Sequence, residues 1–253
     1  MHMPTITGII RRRILANFSV EPEVIARLLP APFSPKIVNG RAVAGVCLIR
    51  LEQIRPLHTP AALGITSENA AHRIAVTWQD KEGIEREGVY IPRRDTDSLL
   101  NVLAGGRLFP GAHHRADFEV ADDGDTVDLT MRARDGGTQV AIHAAAAPGL
   151  ASSLFASLDE ASDFFARGSL GYSARSEPGC LDGITLHTGA WKVAPMRVDT
   201  IRSSFFDDET HFPPGTATFD CALVMRDIPH EWHTEPTLTS SRAPAPRASG
   251  ALR

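Results

Sequence analysis

The sequence predicts one α+β domain built on an antiparallel, closed β-sheet with about three short helices. Three observations carry this. About ten segments either alternate apolar and polar residues or run apolar over strand lengths. Clusters of Gly, Pro, Asn and Asp separate them at turn spacing. Helical signals occur in only three places, each short.

Taken in order, residues 5–18 alternate loosely and read as a strand. Glu21-Pro22 opens a helix, because proline suits the first helical position. Val24, Ile25, Leu28 and Leu29 share its apolar face, and Pro30 with Pro32 stops it. Asn39-Gly40 predicts a hairpin between residues 35–38 and the apolar strand 41–51. A loop of about 15 residues with Pro56, Pro60 and Gly64 is long enough to line or cover a site. Residues 72–79 and 84–91 form a second hairpin around Asp80-Lys81-Glu82-Gly83. Asp95 or Thr96 caps a helix bearing Leu99, Leu100, Val102 and Leu103, ended by Gly105-Gly106.

Strands 115–120, 126–134 and 138–144 follow, divided by the turns Asp122-Asp123-Gly124-Asp125 and Asp135-Gly136-Gly137; the acidic runs 122–125 and Asp207-Asp208-Glu209 read as solvated loops. Ser157-Leu158-Asp159-Glu160 has capping-box spacing and begins the third helix, with Phe164 and Phe165. The last strands fall near 184–193, 196–206 and 216–225. From Thr234 the chain is rich in Pro, Ser, Ala and Arg without periodicity. The domain therefore spans 1–233, with 234–253 a disordered tail.

A net charge of −4 supplies no basic field for nucleic acid, and Arg11-Arg12-Arg13 alone cannot make one. No apolar run approaches the ~20 residues that span a bilayer, so no membrane partner is expected. The arginines near the N-terminus follow its apolar residues, unlike a signal peptide. Cys47, Cys180 and Cys221 lack CxxC spacing, which fits free thiols in a cytoplasmic protein. His230-Glu231-Trp232-His233 lacks the spacing of a zinc helix and reads as a solvated end, so no metal is expected. No GxGxxG or P-loop order is present, and no cofactor is expected.

His113 and His114 are acid–base candidates, since imidazole titrates near neutrality. Adjacent strand residues face opposite ways, so at most one enters an interior; the sequence leaves open which. Glu68 with His72 is a second acid–base candidate, beside Asn69 and Arg73, and an ion pair of Glu68 with Arg73 or Arg11 is the alternative. Arg11 and Arg107 are candidates for binding a carboxylate bidentately.

Several blocks, in one order, resemble the acetoacetate decarboxylase-like superfamily, closest to its branch of uncharacterised bacterial proteins. They are Leu28-Leu29-Pro30-Ala31-Pro32, Asn39-Gly40-Arg41-Ala42-Val43-Ala44-Gly45-Val46, Ser67-Glu68-Asn69 with Arg73, and Glu87-Gly88-Val89-Tyr90. The stretch Gly105-Gly106-Arg107-Leu108-Phe109-Pro110-Gly111-Ala112-His113-His114 follows, then Phe164-Phe165-Ala166-Arg167 and His187-Thr188-Gly189-Ala190-Trp191. The resemblance implies a cone-shaped antiparallel β-barrel with an internal cavity. Arg11 then falls opposite the family's first-strand arginine and Glu68 opposite a glutamate, and Trp191 joins the substrate-binding set. The second glutamate falls on Ala44 or Gly45, and the catalytic lysine pair on His113 and His114.

The chain holds only Lys36, Lys81 and Lys192, and arginine cannot form an imine. The expectation is therefore a cofactor-independent enzyme using acid–base chemistry on a small organic acid or carbonyl metabolite. The reaction is left open among lyase, dehydratase, cyclase and isomerase types. A non-catalytic small-molecule-binding barrel is the alternative, and a homo-oligomer is left open.

Overall fold

The computed structural model describes residues 5–103, 110–175 and 179–239. In chain order the elements are β1 (Ile6–Val20), α1 (Pro22–Leu28), β2 (Ser34–Pro35), β3 (Ile37–Val38) and β4 (Arg41–Pro56). A 3-10 turn (Ala61–Leu63), β5 (Ile65–Gln79), β6 (Glu85–Thr96), α2 (Leu99–Leu103), β7 (His113–Asp122), β8 (Thr126–Ala133) and β9 (Gln139–Ala146) follow. The chain then runs through α3 (Leu158–Arg167), β10 (Leu170–Ala174), β11 (Cys180–His187), β12 (Ala194–Ser203) and β13 (Ala217–Thr239).

All 13 strands belong to one sheet. Its pairings return on themselves twice. One circuit is β6-β7-β8-β9-β12-β13-β1-β4-β5-β6, and the other is β6-β10-β11-β13-β1-β4-β5-β6. The wall β13-β1-β4-β5 is common to both and is covered on both faces. That is why β1 and β4 carry near-continuous apolar runs instead of strict alternation. On one side Ile14, Ala16, Val46 and Leu48 pack against Leu129, Met131 and Ile142 of β8 and β9. On the other, Leu15, Val43, Cys47 and Met225 pack under Phe155, Phe164 and Phe165, which α3 and its lead-in bring over the sheet.

Local chemistry explains the elements. Asn39 (φ 49°) and Gly40 (φ 75°) both sit in the left-handed region that a two-residue hairpin requires. Ser157 Oγ accepts from Glu160 N at 3.1 Å, and the Glu160 carboxylate reaches back to Ala156 N at 2.7 Å.

Several expectations are corrected. The sheet is not purely antiparallel: β6 pairs in parallel with β7 and with β10, neither of which is joined to it by a hairpin. The anticipated long loop shrinks to residues 57–64, because β4 and β5 extend into it. The tail does not begin at Thr234; residues 234–239 pair with β11, and a register shift lets Pro236 sit within β13. Residues 240–253 lie outside the described set. Trp191 lies between strands, Leu99, Leu100 and Leu103 are exposed, and Asp122 is held by Arg12 and Arg226 instead of being solvated.

Candidate functional site

A cavity of about 110 Å³ lies against the α3 side of the shared wall, where β1, β4, β5, β6, α2, β7, β11 and β13 contribute side chains and β10 contributes the backbone of Gly171. Apolar residues such as Ile10, Leu51, Ile91 and Leu186 make most of its lining. The polar lining is Arg13, Arg73, Arg94, Asp95, Asn69, Asn101, His113 and Ser169, with the Cys47 thiol.

The three arginines share an unusual condition: among the described residues, none has an acidic partner. Arg73 is only 4% exposed; it donates to Asn17 Oδ1 and lies over the Phe165 ring at 4.7 Å, while its Nε meets no acceptor. Arg94 donates from Nε to Ser173 Oγ at 3.3 Å and buries an Nη2 that meets none. Arg13 donates to Cys47 Sγ at 3.1 Å and stands 6.0 Å from the Trp191 ring. Burial pushes the Arg73 and Arg94 guanidinium groups down to about 10. Asp95 does not compensate them, because Arg93 holds it at 2.7 Å and Thr138 donates to it at 3.1 Å.

His113 is the imidazole of the cavity. Burial first, then the charge of Arg94, pushes it down to about 3, against a hydrogen bond with the Gly111 backbone. It is therefore neutral near pH 7. His114, on the opposite face of β7, is turned outward and meets Asp135 at 2.8 Å.

The other candidates are placed elsewhere. Glu68 is buried away from the cavity, bound by Arg12 at 2.6 Å and Arg50 at 3.3 Å. Burial raises its carboxyl pKa and Arg12 opposes that. His72 lies among Ser203, Phe205 and Phe206 and is pushed to about 3 by burial. Arg11 is on the outer surface with Glu52 and Asp227. Trp191 donates to Ser162 Oγ at 3.1 Å and does not line the cavity. Arg107 lies outside the described residues.

The reason Arg13 replaces Arg11 is a β-bulge. Between Ile10 and Arg12 the register of β1 against β4 shifts by one residue, so Ile10 and Arg13, three apart, face the same cavity. A matching shift between His72 and Ile74 in the β5–β6 pairing, beside Pro92, brings Ile91 and Arg94 to one side. The proline inside a strand pattern was the one sequence signal for it. His230 was also misread: it is buried, beside Trp232, and burial pushes it to about 4.

None of Lys36, Lys81 and Lys192 lines the cavity. Lys36 is bound to Glu87, and Lys81 and Lys192 are exposed. The expected second-glutamate position carries no carboxylate either: a Cβ at Gly45 would fall 2.3 Å from the Ala16 carbonyl oxygen.

The model of the DUF2071 family, described as an uncharacterized conserved protein, matches residues 9–223. Among solved structures, an acetoacetate decarboxylase-like enzyme from Sphingomonas wittichii RW1 is similar at TM-score 0.59 and 12% identity, covering 94% of this chain and 93% of that one. Acetoacetate decarboxylase from Legionella pneumophila matches at TM-score 0.58 and 10% identity, covering 95% and 88%. The enduracididine biosynthesis enzyme MppR complexed with pyruvate matches at TM-score 0.54 and 10% identity, covering 97% and 92%. At such identities the likeness shows the fold. No curated protein matches the chain in sequence. Among the described residues, no helix is long and apolar enough to cross a membrane, and no group of three or more His, Cys, Asp or Glu is placed to hold a metal ion.

Proposed function

The chain belongs to the DUF2071 family, and from that premise we propose a cofactor-independent acid–base enzyme acting on a small anionic carbonyl metabolite. The circular strand pairing is read as the cone-shaped barrel of the acetoacetate decarboxylase-like fold, with the metabolite inside it. Its three free cysteines suit the cytoplasm. One observation carries the functional reading: three guanidinium groups, with no acidic partner among the described residues, line the same cavity as His113. An uncompensated buried cation is costly, and a carboxylate restores the balance while forming charge-assisted hydrogen bonds.

The chemistry follows from that placement. The arginines hold the carboxylate and orient the neighbouring carbonyl. Neutral His113 takes a proton from the carbon next to that carbonyl, and an arginine stabilises the enolate oxygen. The bound anion also offsets the charge of Arg94 that helps hold His113 low, so substrate raises the basicity of its own base. Enolisation of this kind is the common first step of lyase, isomerase, cyclase and dehydratase reactions. Schiff-base chemistry is set aside, because no lysine lines the cavity.

The test is solvent exchange. Two- and three-carbon-spaced keto acids in deuterium oxide, followed by proton NMR, should lose their α-protons with the wild-type protein. His113→Asn should abolish exchange while retaining binding, and borohydride should trap no adduct. Exchange that survives His113→Asn, or a borohydride adduct on lysine, overturns the mechanism. Sequestration without chemistry is the second reading. It is favoured by how few proton-transfer groups among the described residues reach the cavity: His113, Cys47, the Ser169 hydroxyl and an Asp95 already engaged by Arg93 and Thr138. Binding without exchange would establish it.

A further inference from the structure

We propose that the cavity is built for an acid carrying at least two negative charges, a short dianion in preference to a monocarboxylate. This rests on the anion-binding reading above and adds the charge of the ligand.

Arg13, Arg73 and Arg94 bring three positive charges to one cavity. Among the described residues its one carboxylate is Asp95, which is held by Arg93 and Thr138, with Arg93 also pairing with the more exposed Asp135. The protein shows nearby what it does when it compensates a buried arginine internally. Arg12, one residue from Arg13 and 1% exposed, is given two carboxylates, Glu68 at 2.6 Å and Asp122 at 3.2 Å. The cavity arginines receive instead an amide, a hydroxyl, a thiol and two aromatic faces. These are partners that position a guanidinium without cancelling its charge.

A monoanion would leave two of the three charges uncompensated in an apolar-lined space, whereas a dianion leaves one. The volume of about 110 Å³, against the roughly 10–15 Å³ that one water needs, admits a short-chain acid of several heavy atoms. A net charge of −4 on the whole chain argues against general attraction of anions to its surface.

Dicarboxylates and phosphate monoesters share this chemistry, and the experiment separates them. Calorimetric titration at fixed ionic strength would compare butyrate, pyruvate, malonate, succinate, 2-oxoglutarate and methyl phosphate. Dianions should bind at least about tenfold more tightly than monoanions of equal length. A dicarboxylate preference or a methyl phosphate preference then names the source. Arg94→Met and Arg73→Met should each reduce that preference to about twofold or less. Asn101→Asp, which places an internal carboxylate on the lining, should do the same in a protein that keeps all three arginines.

Equal binding of mono- and dianions overturns the proposal but leaves the anion-binding reading intact. No binding of any acid by the wild type overturns both. A dianion preference unchanged in all three variants puts the charge discrimination outside this cavity and overturns the proposal.

Discussion

An arginine that has left water without meeting a carboxylate is a different object from one that has met two. Arg12 and Arg73 are both buried, and the difference between them is testable with one kind of substitution. Replacing Arg12 by Met would strand Glu68 and Asp122 with less compensation in a buried setting. Breaking such a pair costs on the order of 3–5 kcal/mol. Replacing Arg73 by Met removes an uncompensated cation and keeps an apolar stem against Phe165. The hydrogen bond to Asn17 is lost, but the desolvation cost is lost with it, and ligand-free stability should rise by about 1 kcal/mol. Urea unfolding of both variants decides the matter through opposite shifts of the midpoint. A fall for Arg73→Met would mean that its contacts with Asn17 and Phe165 outweigh the cost of its burial, and that the cavity carries no stored demand for an anion.

At the scale of elements, the capping of α3 links the sequence to the site. Ser157 fixes the first turn, and the helix then delivers Phe164 and Phe165 over the shared wall, with Phe165 against Arg73. Ser157→Ala should cost about 1 kcal/mol and weaken anion binding only slightly, as thermal unfolding and titration would show; a binding loss as large as that of Arg73→Met would reveal that α3 positions the arginine directly. This helix was legible because a cap is local chemistry, and so was the Asn39-Gly40 hairpin. The site was only half legible. His113 could be named because a histidine pair on a strand must split between its faces, yet the sequence could not say which one turns inward. Arg13 and Arg94 were missed for one shared reason. Each lies just past a shift in strand register, and adding one residue to a strand reverses every inference from alternation beyond it. Glu68 and His72 were over-read, because a buried polar residue next to the right neighbours in sequence still faces the wrong side of its strand.

For the whole molecule, two circuits of strands sharing one wall leave much of the chain inside, and several titratable groups go with it. His72 and His230 sit in different parts of that interior, 0% and 3% exposed, and burial holds them down at about 3 and about 4. The unfolded chain takes up protons on these rings as pH falls through 6.5, and the native state does not. Proton uptake by the unfolded state alone lowers stability, so their neutral burial carries no penalty above pH 6.5 and destabilises progressively below it. At pH 5 each contributes a loss of about 2 kcal/mol, from ~1.4 kcal/mol per pH unit over 1.5 units. Two such losses are a large share of the roughly 5–15 kcal/mol that holds a domain together. Thermal unfolding from pH 8 to pH 4 should therefore show a level midpoint down to about 6.5 and then a steady fall. His72→Gln, uncharged at every pH, should flatten that fall by about a third, because His113 and His230 are held low in the same way, while leaving anion binding near pH 7 unchanged, since His72 does not line the cavity. The fall persisting undiminished would mean that His72 takes up its proton in the folded protein, through a rearrangement that opens its contacts with Phe205 and Ser203.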